Sequence, residues 1–183
     1  MGELKKVGVV GAGQMGNGIA HVCALAGYDV VLSDISQDAL DHGLTTIEKN
    51  MTRQVSRDLI TPDEMQTALK RIHTSMTLDA FGEVDLAIEA ATEKREIKEQ
   101  IFAGLCEVVP KSAYLATNTS SISVTRLAST TDRPERFIGL HFMNPVPLMN
   151  LMEIIRGLAT DQETYEMALG FADRLGKTTT NAE

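Results

Sequence analysis

Basic side chains, cysteines and long apolar runs are all scarce in this chain of 183 residues. Seventeen Lys and Arg stand against 25 Asp and Glu, a formal net charge of −8. Nucleic acids and anionic membranes are held by basic patches, so this balance argues against both as partners. No apolar run approaches the roughly 20 residues that a membrane-spanning helix needs. Residues 1–6, MGELKK, lead straight into a strand pattern, and no signal peptide is expected. Gly2 nominally opens a myristoylation pattern, but that pattern needs Ser or Thr where Lys6 stands. Cys23 and Cys106 lie far apart without metal-ligand spacing and read as small thiols of a reducing cytoplasm. No pair among His21, His42, His73 and His141 has zinc-ligand spacing, so no metal is expected.

What is present is an ordinary globular mixture, 43% hydrophobic and 23% charged, enough for one sizeable domain with a real core. The nine methionines are scattered and read as core filling. Apolar β runs alternate with helical patterns, which predicts a doubly wound α/β fold with a mainly parallel sheet. Residues 7–10 read as a strand buried on both faces, because they do not alternate. A helix is expected over 14–26, a strand over 29–33, and a long helix over 37–57 with Ser36 as its N-cap. Thr61-Pro62-Asp63-Glu64 starts another helix, Thr as cap and Pro at its first position. Strands are expected over 72–76, 84–90 and 113–117, with a helix over 94–109 between the last two. The pattern then changes. Strands over 137–141 and 151–155 are joined by a Pro-rich turn too short for a helical crossover, which predicts an antiparallel or mixed extension at the sheet edge. A helix over 162–175 stops at Gly176, and the last residues begin like a strand.

Three features carry chemistry. Gly11-Ala12-Gly13-Gln14-Met15-Gly16 follows a strand and opens a helix. There the first glycine permits a tight turn, the second lets a pyrophosphate approach the backbone, and the third lets helix and strand pack closely. The helix N-terminus offers free N–H groups to the phosphates. Asp34, at the end of the second strand, suits the ribose hydroxyls and repels a 2′-phosphate, so NAD is expected over NADP. Its alternative is a turn residue before Ser36. Finally, His141 ends one apolar run and Glu153 lies twelve positions later in the next. A carboxylate beside a histidine fixes the ring's tautomer and steadies the imidazolium, which is what proton transfer needs. With the glycine loop, this points to a dehydrogenase.

Four segments together resemble the N-terminal domain of L-3-hydroxyacyl-CoA dehydrogenases, the short-chain 3-hydroxybutyryl-CoA enzymes especially. They are GAGQMGNGIA (11–20), EAATE (89–93), NTSSIS (118–123) and GLHFMNPVPLMNLME (139–153), and the resemblance covers essentially the whole chain. It implies a Rossmann-type fold and NAD-dependent oxidation of a 3-hydroxyacyl-CoA, as in β-oxidation and butanoate metabolism. It also implies that His141 takes the 3-hydroxyl proton, with Glu153 holding the imidazole. Ser120 would hydrogen-bond the substrate's C3 oxygen beside the nicotinamide, unless the Asn118–Ser121 cluster merely caps the next helix. Asn144 matches a contact to the nicotinamide half, or is a turn residue before Pro145. Glu93 matches a residue near the nicotinamide ribose. Lys98 matches one reaching the cofactor or CoA phosphates, or is a solvated helix charge. Lys49, Arg53 and Arg57, spaced by four, form a basic stripe, with Asn50 beside it. That stripe is a candidate docking surface for the CoA phosphates, against the plainer reading of a wet helix face.

Relatives of this kind continue with a Pro-Gly-Phe segment, an asparagine completing the oxygen-binding site, and an all-helical domain that supports a homodimer and closes the acyl pocket. The chain is therefore expected to be the cofactor domain alone, binding NAD(H) but turning over acyl-CoA weakly or not at all. Two other readings stay open. One is a dehydrogenase of a hydroxy acid without CoA. The other is a non-catalytic NAD(H)-binding module, against which the Ser120, His141 and Glu153 set argues.

Overall fold

In the computed structural model, which describes residues 3–182, the chain opens with strand β1 (Lys6–Val10), helix α1 (Gln14–Leu25) and strand β2 (Asp29–Ser33). The Gly2 pattern lies outside the described residues. Helices α2 (Gln37–Ser56) and α3 (Pro62–Lys70) lead to β3 (Ile72–Ser75). Strand β4 (Leu86–Glu89), helix α4 (Arg95–Val108) and strand β5 (Tyr114–Thr117) form the next unit. A short α5 (Val124–Ala128), then β6 (Phe137–Phe142), β7 (Leu151–Arg156), α6 (Gln162–Arg174) and β8 (Thr178–Ala182) complete it. The caps form where the sequence places them. Ser36 accepts from the Ala39 amide, and Thr61 and Glu64 close a reciprocal capping box.

The eight strands form one sheet in the order β3-β2-β1-β4-β5-β6-β7-β8. All neighbours run parallel except β6 and β7, the pair joined by the Pro-rich turn. Between β1 and β4 the winding reverses, and the C-terminal ends of those two strands flank the crevice where such sheets bind ligands. Successive strand residues serve opposite faces. Val7, Val9, Leu86 and Ile88 pack with α1 and α6, while Val10, Ala87 and Leu115 pack with α4 around Phe81, Phe102 and Phe137. Phe102 and Phe137 meet edge to face, ring centroids 4.8 Å apart. Truncating either ring in so closed a layer costs about 3–5 kcal/mol.

Several boundaries fall short of the sequence expectation. The fourth strand starts at Leu86, because pairing with β1 begins only at Val7↔Leu86. The fifth starts at Tyr114, because the Ala113 amide turns back to the Pro110 carbonyl. The long helix ends at Ser56, with Arg57 as its C-cap. Two short 3-10 turns, Leu78–Phe81 and Pro134–Arg136, carry no pattern that period counting detects.

Candidate active site

Gly11 leaves β1 with φ +101°, a conformation that an L side chain rarely adopts. Gly16 packs against it so closely that a Cβ would lie 1.6 Å from the Gly11 carbonyl oxygen. Around Gly13 the opposite holds. A Cβ there would find no atom within 4 Å, so the loop's crest is open to a ligand. No side chain caps the first turn of α1, and its leading amides are free to face an anion. Asp34 Oδ2 accepts from the Ala12 amide at 2.9 Å, and Oδ1 from the Ser36 amide at 3.0 Å. The turn role is thus real, and it fixes the carboxylate with lone pairs left for a diol. These features fit a dinucleotide.

Asp34 borders a cavity of about 710 Å³ lined by Gly11, Gly13, Ile35, Met76, Thr92, Ile97 and others. Ile35 is 91% exposed, and Met76 and Ile97 also face solvent. Period counting passes over them, but Ile35 and Met76 follow closely on the C-terminal ends of parallel strands β2 and β3, a signal for a flat apolar ligand surface. Thr92 and Ala91 lead onward to a niche of about 120 Å³ with Met15, Glu93, Lys98 and Asn118. Met15, Glu93 and Asn118 in turn line a cleft of about 240 Å³ with Ser120, His141 and Asn144. Shared walls make one trough from Asp34 to His141.

At its far end the antiparallel register sets His141 directly opposite Glu153. His141 Nδ1 donates to Glu153 Oε2 at 2.7 Å, with side-chain exposures of 21% and 40%. A carboxylate only accepts, so the proton sits on Nδ1 and leaves Nε2 as the basic nitrogen. Asn118 Oδ1 accepts from the Phe142 amide at 2.9 Å and ties the end of β5 to the strand bearing His141. The sequence reading treats Asn118 only as part of a motif; a buried amide at a strand's C-terminal end is the signal it passes over.

Glu93 organises the serine turn. It accepts from the Thr119 hydroxyl at 2.7 Å, the Ser120 amide at 3.1 Å and the Ser121 hydroxyl at 3.4 Å. Partial desolvation pushes its pKa up, but these hydrogen bonds and the nearby Lys98 outweigh it and hold the carboxyl below its ordinary value. Ser123 caps α5 through the Arg126 amide. The capping role therefore falls on Ser123, while Ser120 binds Glu93 through its amide and lines the cleft.

Lys98 differs from both sequence readings. It is not a solvated helix charge, since it is buried, and its ammonium does not extend outward to a phosphate. It donates to both oxygens of Glu89, at 2.7 and 2.9 Å. Thr117 Oγ1 and the Ala91 amide also donate to Glu89, each at 2.8 Å. A carboxylate at the end of a strand buried on both faces needs a cation, and Lys98 supplies it. To reach a phosphate it would have to leave Glu89.

A family model described as "3-hydroxyacyl-CoA dehydrogenase, NAD binding domain" matches residues 6–183. The chain belongs to the 3-hydroxyacyl-CoA dehydrogenase family. NAD is the cofactor of this family domain. Over 174 residues the chain is 58% identical to a 3-hydroxybutyryl-CoA dehydrogenase of Bradyrhizobium diazoefficiens, covering 95% of this chain and 59% of that protein. A probable 3-hydroxybutyryl-CoA dehydrogenase of Deinococcus radiodurans is 47% identical, covering 94% and 62%. The crystal structure of (S)-3-hydroxybutyryl-CoA dehydrogenase from Ralstonia eutropha superposes with a TM-score of 0.95 at 42% identity, over 98% of this chain and 63% of that one. The chain thus spans about three fifths of the length of these relatives.

In this dehydrogenase-family domain, Asn50, Arg53 and Arg57 of the stripe line a groove of about 240 Å³. Gln54 and Leu59 lie beside them, and Pro145, Pro147 and Leu148 form the opposite wall. Lys49 is exposed on α2 outside that groove. Among the described residues no helix is long and apolar enough to cross a membrane, and no cluster of His, Cys, Asp and Glu could hold a metal ion.

Proposed function

We propose that this chain is the cofactor domain of a cytoplasmic dehydrogenase that oxidises L-3-hydroxyacyl-CoA, short-chain 3-hydroxybutyryl-CoA in particular, to 3-oxoacyl-CoA. One observation carries the reading. His141, paired behind with Glu153, and Ser120 line one cleft, continuous with the trough from the glycine loop. NAD, when bound, supplies the hydride acceptor. His141 Nε2 takes the proton of the 3-hydroxyl, a general-base role worth about 10²- to 10⁴-fold in rate. Glu153 accepts from Nδ1 throughout, holding the tautomer and stabilising the imidazolium. The Ser120 hydroxyl donates to the C3 oxygen as it becomes a ketone. Asn144 and Glu93 hold the nicotinamide half, Gly11, Gly13, Gln14, Met15 and Gly16 the pyrophosphate, and Asp34 the adenosine ribose.

Asn50, Arg53 and Arg57 would take the CoA phosphates, Arg through its planar fork. In an intact family member a helical domain would close the acyl pocket and support a homodimer. The 183 residues cover about three fifths of the relatives, so weak turnover is proposed for this chain alone.

Calorimetric titration with NADH and then acetoacetyl-CoA tests the proposal. Both should bind. Binding of NADH without any acyl-CoA would favour a hydroxy-acid dehydrogenase or a non-catalytic NAD(H) module. A turnover rate equal to that of a full-length relative would overturn the proposed weakness of the isolated chain.

A further inference from the structure

The turn between β6 and β7 serves two sites at once. Met143 and Asn144 line the catalytic cleft, while Pro145, Pro147 and Leu148 wall the groove facing Arg53. Its side chains do little to hold it, since Leu148 is 65% exposed and Met149 is exposed too. Area left in water contributes no burial energy. One inward anchor is Val146, buried against α1, where a Cβ on Gly18 would lie 2.9 Å from it. Within the turn, the Leu148 and Met149 amides both donate to the Pro145 carbonyl at 3.0 Å.

The other anchor comes from a distant part of the chain. Lys177, at the junction of α6 and β8, directs Nζ at the Val146 and Met149 carbonyls, donating to each at 2.6 Å. The next residue, Thr178, donates its amide to the Asn150 carbonyl at 2.8 Å. The ammonium is half-buried, and among the described residues no carboxylate lies within ion-pair distance of it. Short charge-assisted bonds to two carbonyls three residues apart fix the curvature between them.

We propose that Lys177 is a positioning residue that latches the 144–149 turn, setting both the Asn144 wall of the catalytic cleft and the Pro145–Leu148 wall of the Arg53 groove. The CoA half of this inference rests on the function proposed above; the NADH half does not. Lys177→Met keeps the aliphatic stem and removes the donors, Lys177→Arg keeps donors, and Lys177→Gln keeps a shorter one. Affinities for NADH and for CoA are read by fluorescence and calorimetry on the 183-residue chain, with thermal melting alongside. Lys177→Met should weaken both ligands by about tenfold, the usual scale for losing hydrogen bonds from a charged donor. Lys177→Arg should recover both to within about threefold, a rescue that loss of packing alone would not give. Arg53→Ala should weaken CoA and leave NADH unchanged. Should Lys177→Met fail to fold, Lys177→Gln carries the same test with an intermediate loss. Unchanged affinities in Lys177→Met, loss of only one ligand, or no rescue by Arg would each overturn the latch. If the unaltered chain binds no CoA, the CoA reading of the groove falls, and the NADH arm alone decides the latch.

Discussion

Two acid–base pairs lie near the ends of the sheet's strands with the same closest contact, 2.7 Å, and opposite surroundings. Glu89–Lys98 is sealed, with side-chain exposures of 0% and 3%, whereas His141–Glu153 is 21% and 40% exposed. Every oxygen of Glu89 is occupied by Lys98, Thr117 or the Ala91 amide. A pair so enclosed has no free lone pair to offer a substrate, and its contacts tie β4, β5 and α4 together beside the trough. The histidine pair keeps one ring nitrogen unspent and a face open to the cleft. Equal distance therefore says little about role; the number of free lone pairs and the route to solvent say more.

Breaking the sealed pair should have the largest effect. Lys98→Met leaves a buried carboxylate without its cation and should cost about 3–5 kcal/mol in urea unfolding. The double variant Glu89→Gln with Lys98→Met should recover much of that loss, and a single variant costing under about 1 kcal/mol would dissolve the contrast. His141→Gln should do the reverse. Unfolding free energy should change by less than about 1 kcal/mol, as for an exposed pair. Residual reduction of acetoacetyl-CoA by NADH should fall by about 10²- to 10⁴-fold. Asp34→Asn, at the trough's other end, should weaken NADH by about tenfold and narrow its advantage over NADPH, both read by fluorescence titration. The smallest effect concerns acid. Because the folded chain holds Glu93 below its ordinary pKa, its contribution to stability is present above the ordinary carboxylate range. That contribution disappears as pH falls through the lowered value. Glu93→Gln should remove that part of the acid dependence between about pH 5 and 3 in thermal melts, and an identical profile would count against it.

The glycine-loop half was legible because its logic is local. An apolar run, three spaced glycines and a closing carboxylate are adjacent in sequence, and β1, α1 and β2 follow. The β6–β7 pairing was legible too, since a short Pro-rich connection leaves little besides an antiparallel turn. Lys98 was not. On α4 it stands among Glu96, Glu99 and Arg95 and reads as one more surface charge; only the fold turns that position onto Glu89. The apolar surface at Ile35 and Met76 escaped for a related reason. Those two residues come together only when parallel strands β2 and β3 end side by side. Lys49, Arg53 and Arg57 formed a stripe by spacing alone, with Asn50 beside it, but the groove takes Asn50, Arg53 and Arg57, and its opposite wall comes from a turn some ninety positions on.

The cross-strand seat of the histidine and its carboxylate has a further consequence. In a two-stranded ladder, shifting one strand by a single residue sends its side chains to the opposite face of the sheet. Evolution can therefore lengthen or shorten the 143–150 turn and reshape what it touches, so long as the rungs on either side stay matched. An insertion that slid β7 by one rung would turn Glu153 away from the ring and leave His141 Nδ1 without its acceptor, with every residue of the site still in the sequence.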